Sequence, residues 1–396
     1  MQFGTSHGTG PTRVLVVGHE ASRTGSPIVL RSVLRWLAAN TDWHIDVAFR
    51  TGGDLLNDFA PLAVSVRDLD LDHHLYRTGR GEIVAYMVQL DSLAGPLREA
   101  RLERKRASAE GYDLVYVNSA PALRALRTKR TTCPVVLHVH ELPQGLIHGL
   151  PDGSFSLLTT LPDHYIAASQ AVRDHLVNDI GIDTSRVTVV HEFIDEPADT
   201  GPEAADPAPD AGAVILGCGT TCWRKGPDLF LQSALASQHL RPDSDELWVW
   251  LGGGTDIEHE RFALDVTHCA SPRVRMVPPV ADPGPWMRRA SAFALTSRED
   301  PFPLVALEAG LAGKPIVCFA DAGGIPELLA CGAGEVVPFG DAYAMADAIG
   351  RILHDPDMAR RRGALGRSEV LARHMSAQGA PAVHAVLARC LESEQR

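Results

Sequence analysis

Two carboxylates stand close together in the most informative part of the chain, between Thr296 and Glu327. Asp300 and Glu308 are separated by seven residues, with a proline-rich turn between them. The apolar run Ala292–Thr296 predicts a buried strand, and Asp300-Pro301 predicts a helix start with an Asp cap and Pro in the first turn. A helix that begins after a parallel strand presents free N–H groups and a positive dipole end. This pattern predicts a segment that holds a diphosphate by its backbone while the acids bind hydroxyl groups.

The residues after Asp300 continue the helical pattern. Leucines recur at helical spacing from Leu304 to Leu311, and Gly313-Lys-Pro315 predicts the end of the helix. Glu308 then lies about two turns into the helix, on a face that can reach a ribose. For an isolated pair of acids at this spacing, the alternative is a surface helix that carries two ordinary charges.

This stretch resembles the Glu-x7-Glu region of retaining glycosyltransferases, most closely glycosyltransferase family 4 in the GT-B fold. It departs from that family at Asp300, where Glu is usual. The resemblance implies that Glu308 holds the ribose of a nucleoside-diphosphate sugar and that Asp300 holds hydroxyls of the sugar. It also places the leaving diphosphate against the helix start, at Phe302, Pro303, Leu304 and Val305.

A second segment resembles the phosphate-contacting part of the same family. After the apolar run Val214–Gly217 come Gly219 and then Arg224-Lys225-Gly226. The resemblance implies that Lys225 neutralises the charge that grows on the diphosphate as the sugar–phosphate bond breaks. The usual Arg is missing from its place, and Arg224 is the candidate to replace it. A surface lysine at a helix start is the alternative for Lys225.

Polar residues end the apolar strand Val135–Val139. Because ligands of α/β folds bind at the carboxyl ends of strands, this end is a candidate site. The segment resembles the family's His-x-His-Glu segment, which implies that His140 contacts the transferred sugar as a hydrogen-bond donor. His138 lies further into the strand and is expected in the core, which is also the alternative for His140 taken alone.

Further candidate contacts to the sugar donor lie in loops and at strand ends. The loop Ser22–Ser26 offers Gly25 for close backbone approach and Arg23 for a phosphate or the acceptor, or it is a plain turn. The remaining candidates are Gly253 and Val277 beside the base, and Gly324 and Glu327 in the loop after Phe319. Glu327 either lies near the sugar donor or caps the next helix. Asn118, His164 and Ser169 also fall near strand ends, without an assigned role.

Buried strands alternate with helical patterns along the chain, which predicts parallel sheets covered by helices on both faces. The Pro- and Ala-rich residues 196–213 read as a linker between two such series. The predicted strands are Arg13–Gly18, Trp43–Phe49, Asp113–Val117, Val135–Val139, Tyr165–Ala168, Val187–Val190, Val214–Gly217, Leu247–Leu251, Val274–Val277, Phe293–Leu295, Ile316–Phe319 and Glu335–Val337.

We therefore expect the GT-B architecture, in which two Rossmann-like domains face each other across a cleft. The N-terminal, acceptor-binding domain spans 1–196, and a linker spans 197–213. The C-terminal, nucleotide-sugar-binding domain spans 214–376, and a final helix over 377–396 packs back toward the N-terminal domain. The first loop lacks a G-x-G-x-x-G fingerprint, which disfavours an NAD-dependent dehydrogenase.

The composition excludes several other classes of protein. The chain has 396 residues, of which 45% are hydrophobic and 22% charged, and its net charge of −12 argues against nucleic-acid binding. No apolar run approaches a membrane span, and the N-terminus lacks the features of a signal peptide, so we expect a cytoplasmic protein. The basic run Arg101–Arg106 leaves peripheral membrane contact open.

No metal or cofactor is expected. The seven cysteines are scattered, match no zinc pattern and read as reduced thiols. Asp68-Leu-Asp70 and Asp70-Leu-Asp72 match a bare Asp-x-Asp metal motif, but they lie in a peripheral polar segment.

The sequence thus predicts a retaining, metal-independent glycosyltransferase. We expect it to move a sugar from a nucleoside-diphosphate sugar, UDP- or GDP-linked, to a hydroxyl of a natural product, saccharide or cell-envelope glycan. The alternatives are a GT-B sugar-nucleotide epimerase, a phosphorylase, and a non-catalytic sugar-nucleotide-binding partner protein.

Overall fold

The computed structural model of the protein describes residues 10–71, 103–127, 132–151, 153–196, 206–254 and 257–393. The chain forms two compact units. The first consists of Met1–Ala167, Ile180–Thr188 and Ala380–Arg396, and the second of Ala168–Asp179 and Val189–Gly379. The short segments 168–179 and 189–196, which precede the predicted linker, thus pack with the second unit.

The described part of the first unit is built on a parallel sheet in the order β3-β2-β1-β4-β5-β6-β7. Its strands are β1 Arg13–Glu20, β2 His44–Thr51, β3 Ser65–Asp68, β4 Leu114–Asn118, β5 Val135–Val139, β6 His164–Ala167 and β7 Val187–Val189. Every residue of β4 and β5 is buried. This agrees with the continuous apolar runs that parallel strands covered on both faces require.

Helices pack with this first sheet, and they include the later part of the last helix of the chain. They are Gly25–Asn40, Leu56–Phe59, Pro143–Gly149, Ser156–Thr160 and the later part of Ser376–Ser393. Short 3₁₀ turns span Ala60–Leu62, Ala120–Ala125 and Thr184–Arg186. The ring of His384, in the last helix, lies between two tryptophans, with centroid distances of 5.1 Å to Trp36 and 4.9 Å to Trp43.

The second unit holds a parallel sheet in the order β10-β9-β8-β11-β12-β13. Its strands are β8 Val214–Cys218, β9 Leu247–Leu251, β10 Val274–Val277, β11 Ala292–Leu295, β12 Ile316–Phe319 and β13 Gly334–Val337. Its helices are Gln170–Asp174, the π-helix His175–Asp179, Pro227–Leu240, Ile257–Cys269, Gly284–Arg289, Leu304–Leu311, Ile325–Leu329, Ala342–His354, Pro356–Arg373 and the start of Ser376–Ser393.

Both sheets reverse their strand order once, between β1 and β4 in the first unit and between β8 and β11 in the second. In open α/β sheets, ligands bind outside the carboxyl ends of the strands at such a switch point. The segments that follow these strands carry the predicted site residues. Each switch point is therefore described next on its own.

Candidate active site

An ion pair between a partly buried lysine and a buried aspartate lies at the switch point of the second sheet. Lys225 follows β8, and its Nζ donates to Oδ2 of Asp300, which follows β11, at 2.5 Å. Ser297 Oγ donates to the same oxygen at 3.1 Å, and Arg224 Nη1 lies 3.7 Å from Oδ1. Asp300 is 5% exposed. The structure thus brings together three of the predicted residues, and Ser297 joins them unpredicted.

The prediction that Asp300 caps the following helix is wrong. The helix begins at Leu304 and its N-cap position is Pro303, without a side-chain cap bond. A proline disfavours helical geometry at the residue before it, so Pro301 and Pro303 delay the helix, and the Asp300 carboxylate accepts from Lys225 instead. The first turn still presents backbone N–H groups, beginning at Leu304.

Phe302 has a structural contact that its predicted role did not include. It is 3% exposed, and its ring stacks on His374 with a centroid distance of 5.2 Å and an interplanar angle of 23°. Only the backbone of this residue remains as a candidate contact to a diphosphate. Val305, in the first helical turn, is partly buried.

Glu308 occupies an unusual electrostatic position in the helix Leu304–Leu311. Burial, assisted by the negative charge of Asp282, raises the pKa of its carboxyl to about 7. Burial also raises the pKa of the Cys218 thiol to about 12, with a further increase from Glu308 and an opposing effect of Lys225. Cys218 at the end of β8 therefore lies within the electrostatic range of both predicted catalytic side chains.

The turn that carries Lys225 is tied to the loop before Asp300. Arg298 donates to both oxygens of Asp228, at 2.8 and 2.6 Å, and to the carbonyl of Trp223 at 2.9 Å. Its guanidinium also lies 5.2 Å from the centroid of the Trp223 ring. Such a bidentate pair fixes orientation as well as distance.

Glycine matters at two positions of this edge, because Gly226 permits a close approach of the chain and Gly219 adopts a positive φ beside Lys225. Gly226 has φ +63°, and a Cβ there would lie 2.1 Å from the carbonyl oxygen of Thr296. Gly219 has φ +150°, and a Cβ there would lie 3.7 Å from the Lys225 side chain. The lysine therefore runs across the loop that follows β8.

Three other predicted contacts to the sugar donor surround this edge. The carbonyl of Val277 accepts from Gly252 N at 2.9 Å, and Gly253 packs near His259. Gly324 N donates to the carbonyls of Asp300 and Pro301, at 3.3 and 3.0 Å. A Cβ at Gly324 would lie 2.4 Å from the Pro301 oxygen, so this glycine is required by contact with the chain itself.

Glu327 caps a helix, but a different one from the helix predicted. Its two oxygens accept from the backbone N–H groups of Gln170 and Ala171, at 3.0 and 3.1 Å. Its Oε2 also lies 2.7 Å from His191 Nε2. The carboxylate thus satisfies the N-terminus of Gln170–Asp174, a segment far away in the chain.

In the first unit, His140 lies just after β5 beside a residue without a predicted role. His140 Nε2 lies 2.9 Å from Asn118 Oδ1, and Asn118 Nδ2 donates to the carbonyl of Ser26 at 3.0 Å. His138 is fully buried, as expected. The signal that could have assigned Asn118 was its place at the end of β4, next to β5 across the sheet.

The first loop shows no direct support for a bound phosphate. Gly25 is the first residue of the helix Gly25–Asn40, and Arg23 is exposed and makes no hydrogen bond or ion pair with the described residues. Glu20 organises the loop by accepting from Ser22 and Thr24, at 2.5 and 3.1 Å. The pKa of Glu20 falls to about 2, chiefly through its hydrogen bond with His19.

Within the described residues, no group of three His, Cys, Asp or Glu side chains is arranged to hold a metal ion. No described helix has the length and apolar character needed to cross a membrane. The seven cysteines are free thiols. Asp68 Oδ1 accepts from Asp70 N at 2.8 Å, and Asp72 lies outside the described residues.

Comparisons with known proteins agree with the fold and with the resemblance seen in the sequence. A family model described as Glycosyltransferase Family 4 matches residues 24–196, and one described as Glycosyl transferases group 1 matches residues 212–355. A lipopolysaccharide core biosynthesis mannosyltransferase of Rhizobium leguminosarum bv. viciae is 31% identical over 50% of this chain and 58% of its own. A D-inositol 3-phosphate glycosyltransferase of Nocardioides is 31% identical over 65% of this chain and 63% of its own. The chain thus spans less than two thirds of both relatives.

Solved structures match nearly the whole chain. The Anabaena protein HepE in complex with UDP and glucose matches with a TM-score of 0.73 at 18% sequence identity. The match covers 96% of this chain and 100% of the HepE chain. Sucrose-phosphate synthase from Thermosynechococcus elongatus matches with a TM-score of 0.70 at 22% sequence identity. The match covers 97% of this chain and 100% of the synthase chain. At these identities the likeness concerns the fold.

Proposed function

Because this chain belongs to glycosyltransferase family 4 and has the GT-B fold, we propose that it transfers a sugar from a nucleoside-diphosphate sugar to an acceptor hydroxyl. The observation that carries the proposal is the Lys225–Asp300 pair at the switch point of the second sheet. An ammonium and the N–H groups of a helix start suit a diphosphate, whereas carboxylates suit sugar and ribose hydroxyls.

The proposed reaction retains the configuration of the sugar and uses no metal ion. The bond between the anomeric carbon and the diphosphate breaks, and the acceptor oxygen bonds to that carbon from the same face. The acceptor proton passes to an oxygen of the departing diphosphate. In this reaction Lys225 stabilises the growing negative charge, Glu308 holds the ribose, and Asp300 and His140 hold hydroxyls of the transferred sugar.

A UDP- or GDP-sugar is the proposed donor. Support for uridine comes from the Anabaena neighbour, whose structures hold UDP and UDP-glucose. Relatives that act in lipopolysaccharide core biosynthesis or on D-inositol 3-phosphate support a saccharide or other polyhydroxylated acceptor. A cell-envelope glycan or a natural product falls within this class.

The proposal is tested by nucleotide binding to the purified chain. We expect UDP or GDP to raise the melting temperature, and we expect Glu308→Ala to lose this shift because the ribose contact is removed. Glu260→Ala, at an exposed acid of the helix Ile257–Cys269, is the matched control and should keep the shift. Stabilisation by NAD alone, or by no nucleotide, would overturn the proposal.

The reaction class is tested with labelled UDP- and GDP-sugars and a panel of glycan acceptors. We expect a glycoside with the anomeric configuration of the sugar donor, formed equally well in the presence of a chelator. An inverted product, or activity that the chelator abolishes, would contradict the proposed mechanism. Conversion of the sugar donor without any acceptor would indicate an epimerase, and phosphate-dependent turnover a phosphorylase.

A further inference from the structure

The buried side chain of Phe302 contacts two histidine rings. Its ring stacks on His374 with a centroid distance of 5.2 Å, and the ring of His191 lies 5.2 Å away at an interplanar angle of 53°. The two histidine rings lie 5.6 Å apart, edge to face. All three residues belong to the second unit, and Phe302 is 3% exposed. The Phe302 ring is thus fixed from two sides, while its backbone continues to the helix start at Leu304.

His191 also contacts the carboxylate of Glu327. Its Nε2 lies 2.7 Å from Glu327 Oε2, which accepts from Gln170 N at 3.0 Å as well. Glu327 Oε1 accepts from Ala171 N at 3.1 Å. An ionised carboxylate only accepts hydrogen bonds, so His191 Nε2 carries a hydrogen and donates it. The imidazole of His191 therefore connects this carboxylate to the ring of Phe302.

The loop before Glu327 packs against the same part of the chain. Gly324 N donates to the carbonyl of Pro301 at 3.0 Å. A Cβ at Gly324 would lie 2.6 Å from Phe302 Cδ2 and 2.6 Å from Ser169 Cβ. There is no space for a side chain between these segments, and a close-packed interior transmits a displacement from one segment to its neighbours.

We propose that His191 is a positioning residue that fixes the segment 301–304 by connecting Phe302 to Glu327. Its effect on binding rests on the proposed function, in which the diphosphate lies against the backbone N–H groups that begin at Leu304. Such groups bind well when they are already in position, because ordering them on binding costs free energy. His191 itself does not contact the diphosphate in this proposal, and its influence passes through the ring of Phe302.

Two conservative variants each remove one half of this connection. His191→Gln keeps an N–H donor for Glu327 but removes the ring beside Phe302, whereas His191→Phe keeps a ring but removes the donor. Because both contacts are needed, we expect each variant to weaken UDP binding about tenfold, and His191→Ala to weaken it no further. His175→Ala is the matched control and should not change UDP binding, since His175 Nδ1 makes a similar contact of 2.7 Å with Asp179 in the same unit.

Comparison with a nucleoside separates positioning from general damage to the fold. Calorimetry measures the affinity for UDP, or for GDP if the original chain binds only GDP. An NMR titration measures the affinity for the nucleoside of the same base, which lacks the diphosphate. We expect nucleoside binding to be unchanged in the His191 variants. An equal loss for nucleoside and nucleotide would overturn the proposal, and so would a lower melting temperature with unchanged UDP affinity.

The carboxylate provides an independent variant. In Glu327→Gln one accepting oxygen becomes an NH₂ group, so the three N–H donors around it can no longer all be satisfied. We expect this variant to weaken UDP binding as much as His191→Phe does, and the double variant to lose no more than either single variant. UDP affinity that falls in the His191 variants but not in Glu327→Gln would show that His191 contacts the ligand directly, and would overturn the proposal.

Amide hydrogen exchange tests the positioning without any ligand. Asp300 N donates to the carbonyl of Ala322, and Gly324 N to that of Pro301, so these N–H groups report on the segment. We expect faster exchange in peptides that cover 300–306 and 322–327 in both conservative His191 variants, but not in the His175 control. Unchanged exchange would overturn the proposal. If the original chain binds neither UDP nor GDP, the proposed function fails, while the exchange measurement still decides whether His191 fixes the segment.

Discussion

Burial determines how Glu308 titrates. Its folded-state pKa of about 7 lies above the value of 4.5 for an exposed glutamate, because desolvation disfavours the charged form. Between these two pH values the folded chain binds more protons than the unfolded chain, so the free energy of unfolding falls as the pH rises. A carboxylate that costs stability without serving the fold suits a ligand-binding role.

Replacing this carboxyl group removes the pH dependence that it causes. Glu308→Gln should gain stability relative to the original chain as the pH rises from 4.5 to 7, by up to ~3 kcal/mol. Urea unfolding at several pH values measures the difference. Glu260→Gln, at an exposed site, should show no such trend. A constant difference between Glu308→Gln and the original chain would contradict the assigned environment.

The Lys225–Asp300 pair, in which the aspartate is buried and the lysine partly buried, should be coupled in stability. Removing one partner of a fully buried pair typically costs about 3–5 kcal/mol. The cost is smaller here, because Asp300 keeps its contacts with Arg224 and Ser297 and the Lys225 side chain is 16% exposed. We expect the double variant Lys225→Met, Asp300→Asn to be more stable than the sum of the single changes by about 1–3 kcal/mol. Urea unfolding of all four proteins gives this coupling energy.

Arg224 provides the matched comparison. Its guanidinium lies 3.7 Å from Asp300 and its side chain is 34% exposed, against 2.5 Å and 16% for Lys225. The cycle of Arg224→Met with Asp300→Asn should therefore show the weaker coupling. Equal coupling energies in the two cycles would mean that Lys225 interacts with Asp300 no more strongly than Arg224 does.

At the scale of elements, two helices approach each other through glycine. A Cβ at Gly363, in Pro356–Arg373, would lie 1.9 Å from the Gly313 carbonyl oxygen, just after the helix that carries Glu308. A Cβ at Gly366 would lie 3.2 Å from the Ala333 Cβ, a contact that a small shift relieves. The position of Glu308 thus depends on close helix packing.

The same substitution at these two glycines should have different effects. Alanine gains about 1 kcal/mol over glycine in helix propensity, whereas overpacking costs about 1–3 kcal/mol. Gly363→Ala should therefore lower stability and weaken nucleotide binding, whereas Gly366→Ala should be nearly neutral. Thermal unfolding and a UDP titration measure both. A neutral Gly363→Ala would show that the helices can separate at little cost.

Strands could be predicted where their burial requires a continuous run of apolar residues in the sequence. The strands Val135–Val139, Leu247–Leu251, Val274–Val277 and Ile316–Phe319 match their predicted bounds. Ser65–Asp68 was missed because this edge strand is short, polar and only partly buried. Contacts such as Arg298 with Asp228 join residues distant in the chain, so no local pattern reports them.

The candidate site was predictable to the extent that its residues follow strands. Asp300 and Glu308 could be singled out from local spacing and turn chemistry, and Lys225 from the resemblance of its segment to the family's phosphate-contacting part. Their pairing could not, because it depends on which strands become neighbours in the sheet. The same limit explains why Asn118 had no role, and why the contact of Glu327 with the N-terminus of Gln170–Asp174 was not among its two predicted alternatives.

At the scale of the whole molecule, the end of the chain belongs to the first unit. His384 and the two tryptophans around it make a contact between the last helix and the start of the chain. We expect Trp43→Ala to speed amide hydrogen exchange in residues 380–393, because the ring contact that holds them is lost. Exchange in β4 and β5 should stay slow.

Hydrogen–deuterium exchange read by mass spectrometry measures this effect. Glu392→Ala, at an exposed position of the same helix, is the control and should leave exchange unchanged. Unchanged protection in Trp43→Ala would show that the other buried side chains, such as Val383 and Leu387, are sufficient to hold the helix.

The division of the chain also bears on its synthesis. Residues 380–396 complete the first unit, although most of that unit precedes residue 168. A ribosome therefore releases the second unit's sequence before the first unit has all of its parts. During translation, apolar surface of the first unit therefore stays exposed until residues 380 onward have been synthesised. Exposed apolar surface favours aggregation and binding by chaperones. A stop codon that removes residues 380–393 should then harm the N-terminal half of the protein more than the half that it adjoins.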